Sequence, residues 1–253
     1  MTVELTWWGH STVSISGDDV HLLTDPLLTQ RVAHLTRRRG EAPRHLAPDA
    51  VLVSHLHHDH LHLPSLRRLP RGSTVVVPVG AGGLVRRLPL HVREVAPGDV
   101  VGVGSVAVRA VRAEHDGRRH PGSRWNGPAL GYVVEGSVTT WFAGDTGPSP
   151  RLAADVGTVD VALVPVGGWG PVSRRSVDGQ HLGPVEAAEV VARVNATLAI
   201  PIHYGTVWPR GLRADGHVAF EGPGEVFARH CPAARVAEVG ERIGWSRGAS
   251  SAG

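Results

Sequence analysis

The chain has 253 residues, 42% hydrophobic and 19% charged, a globular balance that excludes a wholly disordered chain and suffices for a large buried core. All 26 Lys+Arg positions are Arg, 16 residues are His, and the formal net charge is a modest +3. The lone cysteine, Cys231, excludes an internal disulfide framework and a cysteine-ligated zinc finger or iron–sulfur cluster, while the histidine excess points to hard or borderline metal ions.

The N-terminus lacks a basic segment followed by an apolar run, so no signal peptide is expected. No apolar stretch approaches the roughly 20 residues of a membrane span, and a cytoplasmic protein is the default expectation. In chain order, β-type runs at 3–8, 12–16 and 20–24 are separated by Gly9-His10 and Gly17-Asp18-Asp19, which predicts an antiparallel meander. Residues 25–48 have no period and carry three Pro, one Gly and the Arg37-Arg38-Arg39 run; they read as a mobile flap over a site. Strands are expected at 50–54, 74–78 and 105–113, with a short helix at 82–88. A hairpin about Gly136-Ser137 joins runs at 130–135 and 138–143, and buried strands are expected at 159–166 and 198–202. The strongest helix is 184–194, with Pro184 in its first turn, Glu186 and Glu189 toward its positive end, and Val185, Ala188, Val191 and Ala192 on one face. Nothing resembles a linker: one domain over 1–246 and a polar tail over 247–253 are expected. Strand-rich halves with few helices predict an α/β four-layer αββα sandwich, two mixed β-sheets flanked by helices.

The chemistry is concentrated in Ser54-His55-Leu56-His57-His58-Asp59-His60-Leu61-His62, directly after a buried strand. Five imidazoles and a carboxylate so close would repel if protonated and would be costly to desolvate. A metal ion resolves both problems, because neutral imidazole and carboxylate are its ligands. Three further candidates each follow a predicted strand: His115, Asp145 in Gly144-Asp145-Thr146-Gly147, and His203 in Pro201-Ile202-His203-Tyr204. Each alone reads as a loop or turn residue. Together they predict four strand ends delivering ligands to one sheet edge.

With these motifs the sequence resembles the metallo-β-lactamase superfamily over nearly its whole length. The Gly9-His10-Ser11 turn, Phe142-Ala143-Gly144-Asp145-Thr146-Gly147 and His181-Leu182-Gly183-Pro184 resemble the branch containing N-acyl-phosphatidylethanolamine phospholipase D and the bacterial ascorbate-phosphate lactonase. The resemblance implies a dinuclear centre. His55, His57 and His115 would hold one divalent ion; Asp59, His60 and His203 would hold the other; Asp145 would bridge them. Zinc is the first expectation, with manganese or iron also suited to the set. It implies a hydrolase that uses a metal-bridging hydroxide to cleave an ester-type bond, a phosphodiester or lactone of a small anionic substrate. Asp145 would position the ions, and Asp59 would orient the nucleophile as well as ligate.

His181 has two readings: a substrate contact or proton donor to the leaving group, or a mere neighbour of a helix cap. His10 is expected to be a buried, hydrogen-bonded residue stabilising the first turn, with His58 and His62 directed away from the metals. Arg118, Arg119, Arg174 and Arg175 are candidates for phosphate recognition, and Trp125, Trp169 and Trp208 for packing at the core or rim. Two other activities suit such a fold: a nucleic-acid-processing metallonuclease and a di-iron oxidoreductase. The modest charge argues against nucleic acid, and the chain leaves no room for a flavin domain.

Overall fold

The computed structural model describes residues 1–167, 178–211 and 217–248. The chain opens with the expected antiparallel meander, β1 (Thr2–Trp7), β2 (Val13–Gly17) and β3 (Val20–Thr24). Two short strands, β4 (Arg31–Val32) and β5 (Leu35–Arg37), precede β6 (Ala50–Leu52), α1 (Leu63–Leu66), β7 (Thr74–Pro78), α2 (Gly82–Val85) and β8 (His91–Val95). The second half contains β9 (Val100–Val103), β10 (Val106–Arg112), β11 (Leu130–Glu135), β12 (Thr140–Phe142), α3 (Leu152–Val156) and β13 (Val161–Pro165). After these come α4 (Pro184–Arg193), β14 (Leu198–Ile202), β15 (Val207–Pro209), α5 (His217–His230) and β16 (Arg242–Ser246).

Among the described residues these elements build a sheet in the order β16-β1-β2-β3-β6-β7-β8, a second in the order β14-β13-β12-β11-β10-β9, and a small third in the order β15-β5-β4. The two large sheets are mixed, with parallel pairing along β3-β6-β7-β8 and along β12-β13-β14. Strand alternation divides the interior. On β6 and β7, Ala50, Leu52 and Val76 face the core between the sheets, while Val51, Val75 and Val77, with Val53 just after β6, pack with Leu66, Ala81 and Val85 of the helical side. On the other flank, Ala187, Ala188, Val190 and Val191 of α4 and Phe227 of α5 join the main core. The result is the expected αββα layering.

The segment 25–48 is not the flap its composition suggested. It forms β4 and β5, which pair with β15, and Leu27, Val32 and Leu35 are buried beneath them. The Arg37 guanidinium is buried and donates to the carbonyl oxygens of Trp8 and Leu27, which ties the segment to the first turn. Three Pro and a triple Arg hid a small sheet whose partner, β15, lies far away in sequence.

A candidate metal centre between the sheets

Strand direction places the chemistry. β1, β3 and β6 run the same way in one sheet, and β10, β12 and β14 run the same way in the other. The segments leaving those strands carry His10, Asp25, the His55–His62 run, His115, Asp145 and His203. The ligand candidates therefore come from two sheets meeting at one end of the sandwich, not from a single sheet edge as the sequence suggested.

The His55–His62 loop is held from below. Leu56 and Leu61 are fully buried in the helical-side core. The Arg119 guanidinium, itself buried, donates to the carbonyl oxygens of Leu56 at 2.7 Å and Leu61 at 2.6 Å, and more weakly to that of His57 at 3.3 Å. This corrects the expectation for Arg119: its guanidinium is engaged with backbone and is not available as a phosphate clamp. Arg118 is occupied by a bidentate contact with Asp116. Arg174, Arg175 and Trp169 lie outside the described residues. Trp125 packs on the helical-side core, and Trp208 is buried within β15.

All seven predicted ligands converge. His57 Nδ1 lies 2.8 Å from His55 Nε2 and 3.2 Å from His115 Nε2, a close triad of nitrogens. Asp145 Oδ2 lies 3.1 Å from both His60 Nε2 and His203 Nε2, and 4.0 Å from His55 Nε2. Asp59 Oδ2 is 3.6 Å from His60 Nε2 and 4.0 Å from His203 Nε2. The glycine of the Gly144-Asp145 turn is dictated by space and conformation: at φ +63, a Cβ would lie 2.6 Å from the Leu130 carbonyl oxygen.

The other nitrogen of three of these histidines is engaged, which fixes the tautomer and leaves Nε2 facing inward. His115 Nδ1–H donates to the Gln180 carbonyl oxygen at 2.9 Å, and His203 Nδ1–H to that of Gly167 at 3.2 Å. His60 Nδ1–H donates to Asp25 Oδ2 at 2.6 Å. Asp25 is fully buried and also accepts from the Ser54 backbone N–H and hydroxyl. Sequence reasoning missed Asp25. The available signal was its position at the end of β3, beside the parallel strand that leads into the histidine run.

A metal fits this donor set. The Nε2 atoms of His60 and His203 and Oδ1 of Asp145 are buried without a hydrogen bond among the described residues, a costly state that coordination would relieve. Burial keeps His55 well below the usual imidazole range and brings His57 down to about 4; His115 is lowered for the same reason. Neutral imidazoles are the state a metal requires. Burial opposes ionisation of Asp145 and Asp59, but neighbouring histidines, His203 and His60 for the first and His60 and His10 for the second, hold both carboxyls well below their ordinary value. His60 is raised: burial opposes its charge, yet Asp145, Asp59 and Asp25 surround it.

His181 is at the same centre. It is buried, its Nε2 lies 3.7 Å from Asp145 Oδ2, and Asp178 Oδ2 accepts from its Nδ1–H at 2.6 Å. Asp178 Oδ1 also accepts the backbone N–H groups of Gln180 and His181. Burial works against protonation of His181, but Asp145 and Asp178 bring its value up to about 9. His58 and His62 do turn elsewhere: His58 Nδ1 accepts from Arg119, and His62 Nδ1 contacts the Ser65 hydroxyl. His10 is buried and hydrogen-bonded, as expected, and the partner of its ring is Asp59.

Residues 21–204 match a family model described as the beta-lactamase superfamily domain. A metal-dependent hydrolase of Methanopyrus kandleri is 31% identical over 90% of this chain and 100% of its own length. The N-acyl-phosphatidylethanolamine-hydrolyzing phospholipase D 1 of Caenorhabditis elegans is 28% identical over 81% of this chain and 64% of its own length. Among solved structures, a metallo hydrolase of the archaeon Ignicoccus hospitalis superposes with a TM-score of 0.70 over 98% of this chain and 100% of that one, at 21% identity. Among the described residues, no helix is long and apolar enough to cross a membrane.

Proposed function

This chain belongs to the metallo-β-lactamase superfamily and is a metal-dependent hydrolase, and from that premise we propose that it works with two divalent ions, zinc first, on a phosphodiester or lactone of a small anionic substrate. The observation that carries the dinuclear reading is the place of Asp145, one carboxylate within 3.1 Å of two histidines of one donor group and 4.0 Å from a histidine of the other. His55, His57 and His115 would hold the first ion, Asp59, His60 and His203 the second, with Asp145 between. When bound, two such ions supply Lewis acidity that activates water near neutral pH and stabilises charge on the reacting oxygens, and their positive charge, only partly offset by Asp59 and Asp145, favours an anionic substrate.

The chain's own groups supply the rest. Asp145 and Asp59 keep their negative charge inside a largely buried site, so both can ligate. Raised to about 9 by Asp145 and Asp178 against the effect of burial, His181 is held as the imidazolium: its Nδ1–H donates to Asp178 and its Nε2–H is directed toward Asp145. Such a group can give its proton to a leaving oxygen. Similarity to a phospholipase D, an enzyme of phosphodiester bonds, supports that bond class over a thioester.

Elemental analysis of reloaded protein, followed by a panel of phosphodiesters, lactones and thioesters, tests the reading. Close to two ions per chain and turnover of a phosphodiester or lactone are expected. A stoichiometry of one or less with all ligands intact would overturn the dinuclear centre; turnover confined to thioesters would overturn the bond class.

A further inference from the structure

His10 belongs to none of the ligand positions discussed above, yet it is buried against them. Its Nε2 lies 3.0 Å from Asp59 Oδ2, across 49 positions of sequence, and its ring centroid is 4.3 Å from that of His203. Among the described residues, this is the one hydrogen bond made by the Asp59 carboxylate. His10, Asp59, His60 and His203 together offer four donor atoms mutually within 4.8 Å.

The backbone holding His10 is over-determined. Its N–H donates to the Thr206 hydroxyl at 2.8 Å. Its carbonyl oxygen accepts from the Trp7 indole N–H and from the His203 backbone N–H, both at 2.9 Å. His10 and His203 both lie in the left-handed region, at φ 54 and φ 60, which costs a non-glycine residue energy and persists only where the surroundings enforce it. Gly9 must be glycine for the turn to form: at φ +92, a Cβ would lie 2.6 Å from the Thr206 methyl group. Two strained turns from opposite sheets are thus hydrogen-bonded to each other, with their imidazoles packed together and both facing Asp59 Oδ2.

We propose that His10 is a positioning residue for the metal centre, donating its Nε2–H to Asp59 Oδ2 and thereby fixing how that carboxylate is presented to the second ion. The inference rests on the dinuclear reading above. Without the donor, Asp59 would be free to rotate about its terminal torsion, which is soft, and its ligand oxygen would lose its set direction.

The test is zinc affinity and stoichiometry, read by competition with a chromophoric chelator on the full chain, independently of any substrate. His10→Phe keeps a ring beside His203 but has no donor; His10→Gln keeps an N–H donor. His10→Phe is expected to weaken the second ion about 10–100-fold while leaving the first unchanged, and His10→Gln to recover most of that loss. In an Asp59→Ala background, His10→Phe should have no further effect. Wild-type affinity for the second ion in His10→Phe, no recovery in His10→Gln, or an equal loss with and without Asp59 would each overturn the proposal, the last by making His10 a direct ligand. If the wild-type chain binds a single ion, it is the dinuclear reading that has failed, and the two failures stay distinct.

Discussion

Nδ1 of His60 lies 2.6 Å from Oδ2 of Asp25, and both side chains are completely buried. The pairing commits the ring: the proton sits on Nδ1, and Nε2 is left facing Asp145 and Asp59. A carboxylate behind a ligating histidine sets both its tautomer and its basicity. Asp25→Asn is isosteric but brings an amide N–H₂ to a place where the Ser54 hydroxyl and His60 both donate. The variant is expected to turn the His60 proton toward the centre and to weaken the second ion about 10–100-fold. Chelator competition measures it, and an affinity equal to wild type would contradict the role given to Asp25.

The two ion positions should respond differently to pH. His55, His57 and His115 are all lowered by burial, so near neutral pH they are already deprotonated and the first ion displaces no proton. His60 is raised in the metal-free protein by Asp145, Asp59 and Asp25, against the effect of burial. The second ion must therefore release a proton, and its affinity should rise by about tenfold per pH unit across neutrality while the first stays nearly level. Titration calorimetry in buffers of different ionisation enthalpy counts the protons; equal release at both positions would be evidence against this assignment.

Arg119 is predicted to act through the loop it holds. Arg119→Met keeps an apolar stem but leaves the buried carbonyl groups of Leu56 and Leu61 without their donor. Unsatisfied buried acceptors cost on the order of 1–3 kcal/mol each. A lower Tm and weaker binding of both ions are expected, since His55, His57, Asp59 and His60 all sit on this loop. An unchanged Tm would show that the loop keeps its shape by Leu56 and Leu61 packing alone.

His181→Ala should retain both ions yet lose turnover by about 10²–10⁴, most strongly for substrates with poor leaving groups. Asp178→Asn should show a smaller loss with the same leaving-group trend, because it removes the charge that helps keep His181 protonated without removing the ring. kcat over a series of graded leaving-group pKa separates the readings. A uniform loss would make His181 a substrate contact, and loss of metal would make it a ligand.

The dense part of the centre was legible in sequence for a covalent reason. His55, His57, Asp59 and His60 are so close along the chain that any sharp loop after a buried strand brings them together. His115, Asp145 and His203 were recognisable because each follows an apolar run, and the parallel pairing of β12, β13 and β14 carries two of those run ends to one level. The meander, the hairpin and α4 followed from local signals: turn residues, alternation and an amphipathic face. The small β15-β5-β4 sheet did not, since its central strand has only three residues and finds its partner far along the chain.

What the sequence alone determined is the donor inventory and the layered fold, because ligand chemistry and hydrophobic period are local properties. What only the tertiary structure decided is how the donors are held. Asp25 meets His60 across 35 positions, His10 meets Asp59 across 49 and Arg119 meets Leu61 across 58. None of these pairs has a sequence period. Each exists because two sheets close over one core and bring unrelated strand ends within hydrogen-bond distance, where burial makes an unpartnered polar group costly.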